Sequence, residues 1–179
     1  MEPKRNVVLI GMPAVGKSTI GVLLAKSLGF SFVDTDIIIQ AGEGVTLQEI
    51  IDTKGLTFFR EVEERYICGL EHHCHVIATG GSAVYSPKAM AHLAENGVIV
   101  HLRIDLESLE QRLADIGNRG VVMDPGQSIA DLYAARRPLY LKYGQVAVEC
   151  QSLTPDQIVG RIIQALDENP GILKPDTEC

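Results

Sequence analysis

The eight residues Gly11-Met12-Pro13-Ala14-Val15-Gly16-Lys17-Ser18 stand between an apolar run, Asn6 to Ile10, and a stretch from Lys17 to Leu28 with apolar residues at three- and four-residue spacing. A strand, a glycine-bracketed turn and a helix opening on Lys-Ser leave the turn's main-chain N–H groups exposed at the helix N-terminus. This pattern is a phosphate-binding loop. Gly11, Ala14, Val15, Gly16 and Thr19 would cradle a polyphosphate, Lys17 would reach its β- and γ-phosphates, and Ser18 would hold Mg2+.

The remainder of the chain narrows the fold. Strand-like runs recur at Ser31 to Val33, Val76 to Ala78, Gly97 to Leu102 and Val146 to Glu149. Between them, Leu47 to Asp52, Leu56 to Leu70, Pro87 to Glu95, Leu106 to Ala114, Ile129 to Arg136 and Pro155 to Leu166 carry helical spacing. This alternation predicts an α/β fold of three layers, a central parallel five-stranded sheet with helices on both faces. Ligands gather at the carboxyl ends of such strands, so the phosphate loop, Asp34 and Gly80-Gly81 should share one crevice. Residues 115–128, rich in Gly, Asn and Pro, suit a mobile lid. One domain over residues 1–168 is expected, with 169–179 a flexible tail.

Composition excludes several alternatives. At 179 residues and 46% hydrophobic, the chain suits a single core, and a net charge of −7 argues against a nucleic-acid surface. The first apolar run breaks at Gly11 and Pro13, too soon for a signal sequence or a membrane span. A cytoplasmic monomer with no membrane partner is expected. Cys68, Cys74, Cys150 and Cys179 form no C-x-x-C pair, so reduced thiols are the simplest account. The run Glu71-His72-His73-Cys74-His75 is better taken as a solvated connector than as a zinc site.

Phosphoryl transfer needs a metal, a cation on the moving group and an orienting group for the acceptor hydroxyl. Many loop-containing ATPases carry an acid where this chain has Thr79, so the carboxylates must come from Asp34-Thr35-Asp36. On an extended segment Asp34 and Asp36 would face the same way, Asp34 toward Mg2+ and Asp36 toward the acceptor's proton. Asp36 could instead cap the next helix.

The order of the Gly-Lys-Ser-Thr loop, Asp34-Thr35-Asp36, Gly44-Val45-Thr46, Gly55, Phe59-Arg60-x-x-Glu63, Thr79-Gly80-Gly81 and Arg136-x-Pro138-Leu139-Tyr140 resembles shikimate kinase from Asn6 to about Leu166. The resemblance implies a P-loop kinase that uses ATP and Mg2+ to phosphorylate the 3-hydroxyl of shikimate. It makes Lys17, Asp36 and Arg119 catalytic, and Ser18 and Asp34 the metal side. Asp36, Arg60, Gly80, Gly81 and Arg136 would bind shikimate, with Arg60 and Arg136 on its carboxylate. Arg112 would lie along adenine, and Arg119 would close with the lid. A planar guanidinium suits a carboxylate because two parallel hydrogen bonds fix orientation as well as position. The chain departs from the pattern at Ser82, where a third glycine is usual, and at Arg119-Gly120-Val121-Val122, where Pro-Leu-Leu usually follows the arginine. The alternatives are a related kinase acting on gluconate or another small hydroxy acid, and a nucleotide-binding module without turnover.

Overall fold

The computed structural model describes residues 5–116, 121–124, 126–169 and 173. Its five strands are β1 Asn6–Ile10, β2 Ser31–Asp34, β3 His75–Ala78, β4 Gly97–Arg103 and β5 Val146–Glu149. They pair in the order β2-β3-β1-β4-β5, and every pairing is parallel. In the central register Val8 lies between Ile77 and Ile99. All of β1 is buried, as a strand covered on both faces must be, whereas edge strand β5 alternates buried Val146 and Val148 with exposed Ala147 and Glu149.

The helices are α1 Lys17–Leu28, α2 Thr35–Glu43, α3 Leu47–Cys68, α4 Pro87–Asn96, α5 Leu106–Ile116, α6 Ile129–Tyr143 and α7 Pro155–Asp167. Right-handed crossovers put α1 and α7, which pack together, on one face and α3, α4 and α6 on the other. The expected three layers are present.

Three elements differ from expectation. Helix α2 was not anticipated, because Ile37-Ile38-Ile39 gives no helical period; Asp34 starts it by accepting from Asp36 N at 3.0 Å, and Gly44 in the left-handed region ends it. The two expected helices on either side of Gly55 form one element broken at that residue, whose φ of 84° and ψ of 165° are not helical. Helix α6 passes its expected end and runs through Pro138. Ala134 and Pro138 are both exposed, so the carbonyl that the missing N–H leaves is on the solvent side of the helix.

Two apolar clusters result. The larger surrounds the sheet, and a smaller one joins Ile39, Ile50, Phe59, Val62 and Val122. Val122, from the segment expected as a lid, thus packs on α2 and α3. Residues 117–120 of that segment, Arg119 among them, and nearly all of the expected tail lie outside the described residues. Cys68 and Cys150 are free thiols. Cys74 is disulfide-bonded, which corrects the expectation of reduced thiols throughout; sequence spacing does not show a pairing between distant segments. Among the described residues no helix is long and apolar enough to cross a membrane.

Candidate active site

The phosphate loop follows β1 and depends on backbone that only glycine adopts freely. Gly11 has φ 151°, and a Cβ there would lie 2.6 Å from the Leu102 carbonyl oxygen. Gly16, at φ 104°, precedes α1 without a side-chain cap, and no acid occupies the helix's first turn. The first N–H groups of α1 are therefore left for an anion, which fits a polyphosphate. Lys17 Nζ donates to the carbonyls of Gly11 at 2.9 Å and Met12 at 3.0 Å. Burial pulls its pKa down to about 8, against the opposing charge of Asp36 and with the help of Arg136.

Beside the loop, Ser18 Oγ donates to Asp34 Oδ2 at 2.5 Å, while Asp34 Oδ1 holds the start of α2. Asp34 and Asp36 do not meet through strand alternation, as expected from sequence. Asp34 ends β2 and caps α2, and Asp36 enters from the helix's first turn. The capping alternative for Asp36 therefore belongs to Asp34. Asp36 Oδ1 is buried without a partner. Burial pushes the Asp36 carboxyl up to about 6; the Asp34 charge adds to this and Lys17 opposes it. Among the described residues no group of three His, Cys, Asp or Glu side chains could hold a metal. Ser18 and Asp34 offer two hard oxygens, which suits Mg2+, an ion that keeps waters and substrate phosphates as its other ligands.

The acceptor side is built from β3, α3 and α6. Thr35 Oγ1 accepts from Gly80 N at 3.0 Å, and Thr79 Oγ1 donates to the Leu9 carbonyl at 3.1 Å, so the strand ends are tied together. A Cβ on Gly80 would collide with the carboxylates of Glu63 and Asp36. Arg136, fully buried, donates from Nη2 to the Val122 carbonyl but has no partner for Nε or Nη1. Arg60 Nε also lacks one. Both guanidinium groups lie over the ring of Tyr85, Arg60 at 4.5 Å and Arg136 at 5.4 Å.

Glu63 stands among them, 2% exposed. Its Oε2 accepts from Ser82 Oγ at 2.6 Å and its Oε1 has no partner. Burial pushes this carboxyl up to about 7; the Ser82 hydrogen bond works against that, the Asp36 charge reinforces it, and the two arginines oppose it. The side chain that departs from the family pattern at position 82 is thus spent on Glu63.

A cavity of about 230 Å³ is lined by Lys17, Ser18, Thr19, Asp36, Gly80, Gly81 and Arg136, with Val121 and Val122 closing one side. Arg60 lines an adjoining cavity behind Ser82 and Glu63. Arg112 is at a distance from both. It donates to the Val15 carbonyl and to the Cys150 carbonyl, each at 3.0 Å, joining the phosphate loop to the segment after β5. Two residues gain a place in the site only from the structure. Glu63 stands in the Phe59-Arg60-x-x-Glu63 motif, three positions after Arg60 and so on the same helix face, but the motif alone gives it no role of its own. Tyr85 carried no signal.

A phosphate loop at the centre of a parallel sheet, opposite a pocket of buried carboxylates and guanidinium groups, defines a small-molecule phosphotransferase of the P-loop kinase class. The model of one family, described as shikimate kinase, matches residues 13–167. The chain belongs to the shikimate kinase family. It is 37% identical to the shikimate kinase of Thermodesulfovibrio yellowstonii over 89% of this chain and 94% of that one. It is also 37% identical to that of Hahella chejuensis, over 93% and 88%. The structure of Acinetobacter baumannii shikimate kinase in complex with shikimate matches with a TM-score of 0.86 at 29% identity, covering 94% of this chain and 96% of that one. A gluconokinase from Sinorhizobium meliloti, at 18% identity and a TM-score of 0.53, shares the fold alone.

Proposed function

We propose that this protein transfers the γ-phosphoryl group of ATP to the 3-hydroxyl of shikimate, giving shikimate 3-phosphate and ADP. One observation carries the reading. Asp36 Oδ1 and Arg136 Nε and Nη1 are buried without partners at the pocket beside the phosphate loop, and Arg60 Nε is buried without one at the cavity that adjoins it. Buried polar atoms left unsatisfied are costly, and their gathering at one place fits an acceptor that bears both a carboxylate and a hydroxyl.

The bound Mg2+ nucleotide supplies an electrophilic phosphoryl group whose charge the metal spreads. Ser18 and Asp34 are the side chains to hold the metal, and Lys17, with the free N–H groups at the start of α1, the β- and γ-phosphates. Arg112 faces the nucleotide's far end. Arg60 and Arg136 grip the acceptor carboxylate in the plane of their guanidinium groups, while Gly80 and Gly81 let the acceptor approach main chain. Asp36, with a pKa of about 6, is mainly ionised at neutral pH and takes the hydrogen bond, then the proton, of the attacking hydroxyl. Arg119, which lies outside the described residues, is the cation we assign to the transferring group. Orientation is most of what this chemistry asks of a protein, and two forks fix the acceptor better than two point charges. We place the activity in one domain, residues 1–168, acting as a cytoplasmic monomer.

The test is ADP release with ATP and Mg2+ across a panel of hydroxy acids, sugars and nucleosides. Saturable turnover with shikimate alone is the expected result. Saturation by gluconate or a nucleoside with no response to shikimate overturns the reading.

A further inference from the structure

Tyr85 sits in a single 3-10 turn, Ala83–Tyr85, directly after Gly80-Gly81-Ser82. The turn is held at both ends. Tyr85 N donates to the Ser82 carbonyl at 2.9 Å, and Ser86 caps α4 through Ala89 N while its hydroxyl donates to Glu64 Oε2 at 2.6 Å. Ala83 and Val84 are buried beneath it. The ring therefore has a fixed position between α3, which carries Arg60, and α6, which carries Arg136.

A guanidinium group has two recognition surfaces. Its flat face is attracted to the negative face of an aromatic ring, and its N–H edge forms hydrogen bonds in its own plane. At Tyr85 the Cζ atoms of Arg60 and Arg136 both lie over one ring, 4.5 and 5.4 Å from its centroid, while Arg60 Nε and Arg136 Nε and Nη1 have no partners. Among the described residues neither arginine has an ion pair with a carboxylate to hold it: Glu63, whose carboxyl feels both guanidinium charges, accepts from Ser82 with one oxygen and has no partner for the other. Arg136 has a second anchor, the Val122 carbonyl, which accepts from its Nη2, and the Tyr85 ring is the contact that the two guanidinium groups share.

We propose that Tyr85 is a positioning residue of the acceptor site, a platform that orients the N–H edges of Arg60 and Arg136 toward one carboxylate-bearing acceptor. This rests on the acceptor assignment made under Proposed function. It adds a determinant of acceptor affinity that touches neither nucleotide nor metal.

Steady-state kinetics of Tyr85→Leu and Tyr85→Phe, with acceptor and ATP varied separately, test it. Tyr85→Leu should raise the KM for shikimate about tenfold, leave the KM for ATP within about twofold, and lower kcat much less than it raises the acceptor KM. Tyr85→Phe, which keeps the ring, should stay near wild type. Where Tyr85→Leu does not fold, phenylalanines with one, two and three ring fluorines at position 85 keep the shape while weakening the negative face. The shikimate KM should then climb with each fluorine. A flat series, or equal shifts in both KM values for Tyr85→Leu, overturns the positioning role. Wild-type protein that never responds to shikimate sinks the acceptor assignment instead, and with it this one; wild-type turnover with an unmoved Tyr85→Leu sinks only this one.

Discussion

Ser82→Ala removes one hydroxyl and tests the electrostatics of the acceptor pocket. Among the described residues that hydroxyl is the only hydrogen-bond donor to Glu63: it reaches Oε2 at 2.6 Å, and Oε1 has no partner. Both residues are 2% exposed, so water does not replace it. Glu63 already titrates at about 7 because burial outweighs the Ser82 bond. Without the bond its pKa rises further. Over the added interval the folded variant holds a proton that the unfolded chain has released, so the variant loses stability relative to wild type as pH climbs. A bond to a neutral carboxyl contributes about 1 kcal/mol, and one to a carboxylate about 2–3 kcal/mol. The expected destabilisation is thus about 1 kcal/mol near pH 5 and about 2–3 kcal/mol near pH 9. At about 2–4 °C per kcal/mol for a chain of this size, the Tm gap should at least double between those conditions. Scanning calorimetry of both proteins without substrates measures it. A gap that is the same at both pH values would refute the claim that Ser82 supports a titrating Glu63.

Three further substitutions probe the rest of the site. Arg60→Ala should raise the shikimate KM about ten- to hundredfold, as expected for the loss of a charge-assisted hydrogen bond, with the ATP KM nearly unchanged; equal effects would make Arg60 a structural residue. Gly80→Ala drives a methyl group into the Glu63 and Asp36 carboxylates. It should abolish turnover while calorimetric titration still detects nucleotide binding, and wild-type turnover would mean that the acceptor does not approach this strand end. Ser18→Ala should raise the Mg2+ concentration for half-maximal rate about tenfold or more; an unaltered Mg2+ dependence would remove the hydroxyl from the metal's surroundings.

Local patterns made much of this molecule legible, and contacts between distant segments account for most of what stayed hidden. Strands β1, β3 and β4 were visible as apolar runs because the middle of a sheet covered on both faces buries nearly every side chain, and edge strand β5 through the buried Val146 and Val148. The phosphate loop was visible because its glycines answer to their own backbone geometry, with positive φ at both Gly11 and Gly16. Helix α2 was hidden because three consecutive isoleucines, Ile37 to Ile39, carry no period, although Asp34 and Gly44 bracket it as cap and stop. The full burial of Arg136 was hidden as well, since the helical spacing stops at this residue as it would at a solvated helix end, and it is contacts from distant segments, Val122 and Tyr85, that cover the guanidinium. The motif named Arg60 and Arg136 together, as the structure brings them together, but not the ring they share. Tyr85 acts through three elements that meet only in the folded chain, so no spacing encodes it.

The cost of holding unpaired charge in the pocket leads to a last expectation, that one substitution there should raise stability as it removes function. Asp36 has a pKa of about 6, against 3.8 for an unperturbed carboxyl, with burial as the main cause. Because the folded value lies above the unfolded one, the group favours the fold below the unfolded pKa, and that contribution is lost as pH rises through the folded pKa. At about 1.4 kcal/mol per unit, the ionised Asp36 weakens the substrate-free protein by a few kcal/mol at about pH 8. Asparagine has the same shape and no charge in either state. Part of the gain is offset, because Asp36 is the largest charge holding up the pKa of Lys17. Asp36→Asn should therefore be more stable than wild type by about 1–2 kcal/mol at about pH 8 and no different at about pH 4, measured by urea unfolding without substrates. Its turnover should fall by about a hundredfold or more with ATP affinity retained, as expected when a general base is removed. A variant less stable than wild type at about pH 8 would show that Lys17 and its neighbours already neutralise this carboxylate in the free protein, and the pocket would then have no unpaired acid awaiting an acceptor hydroxyl.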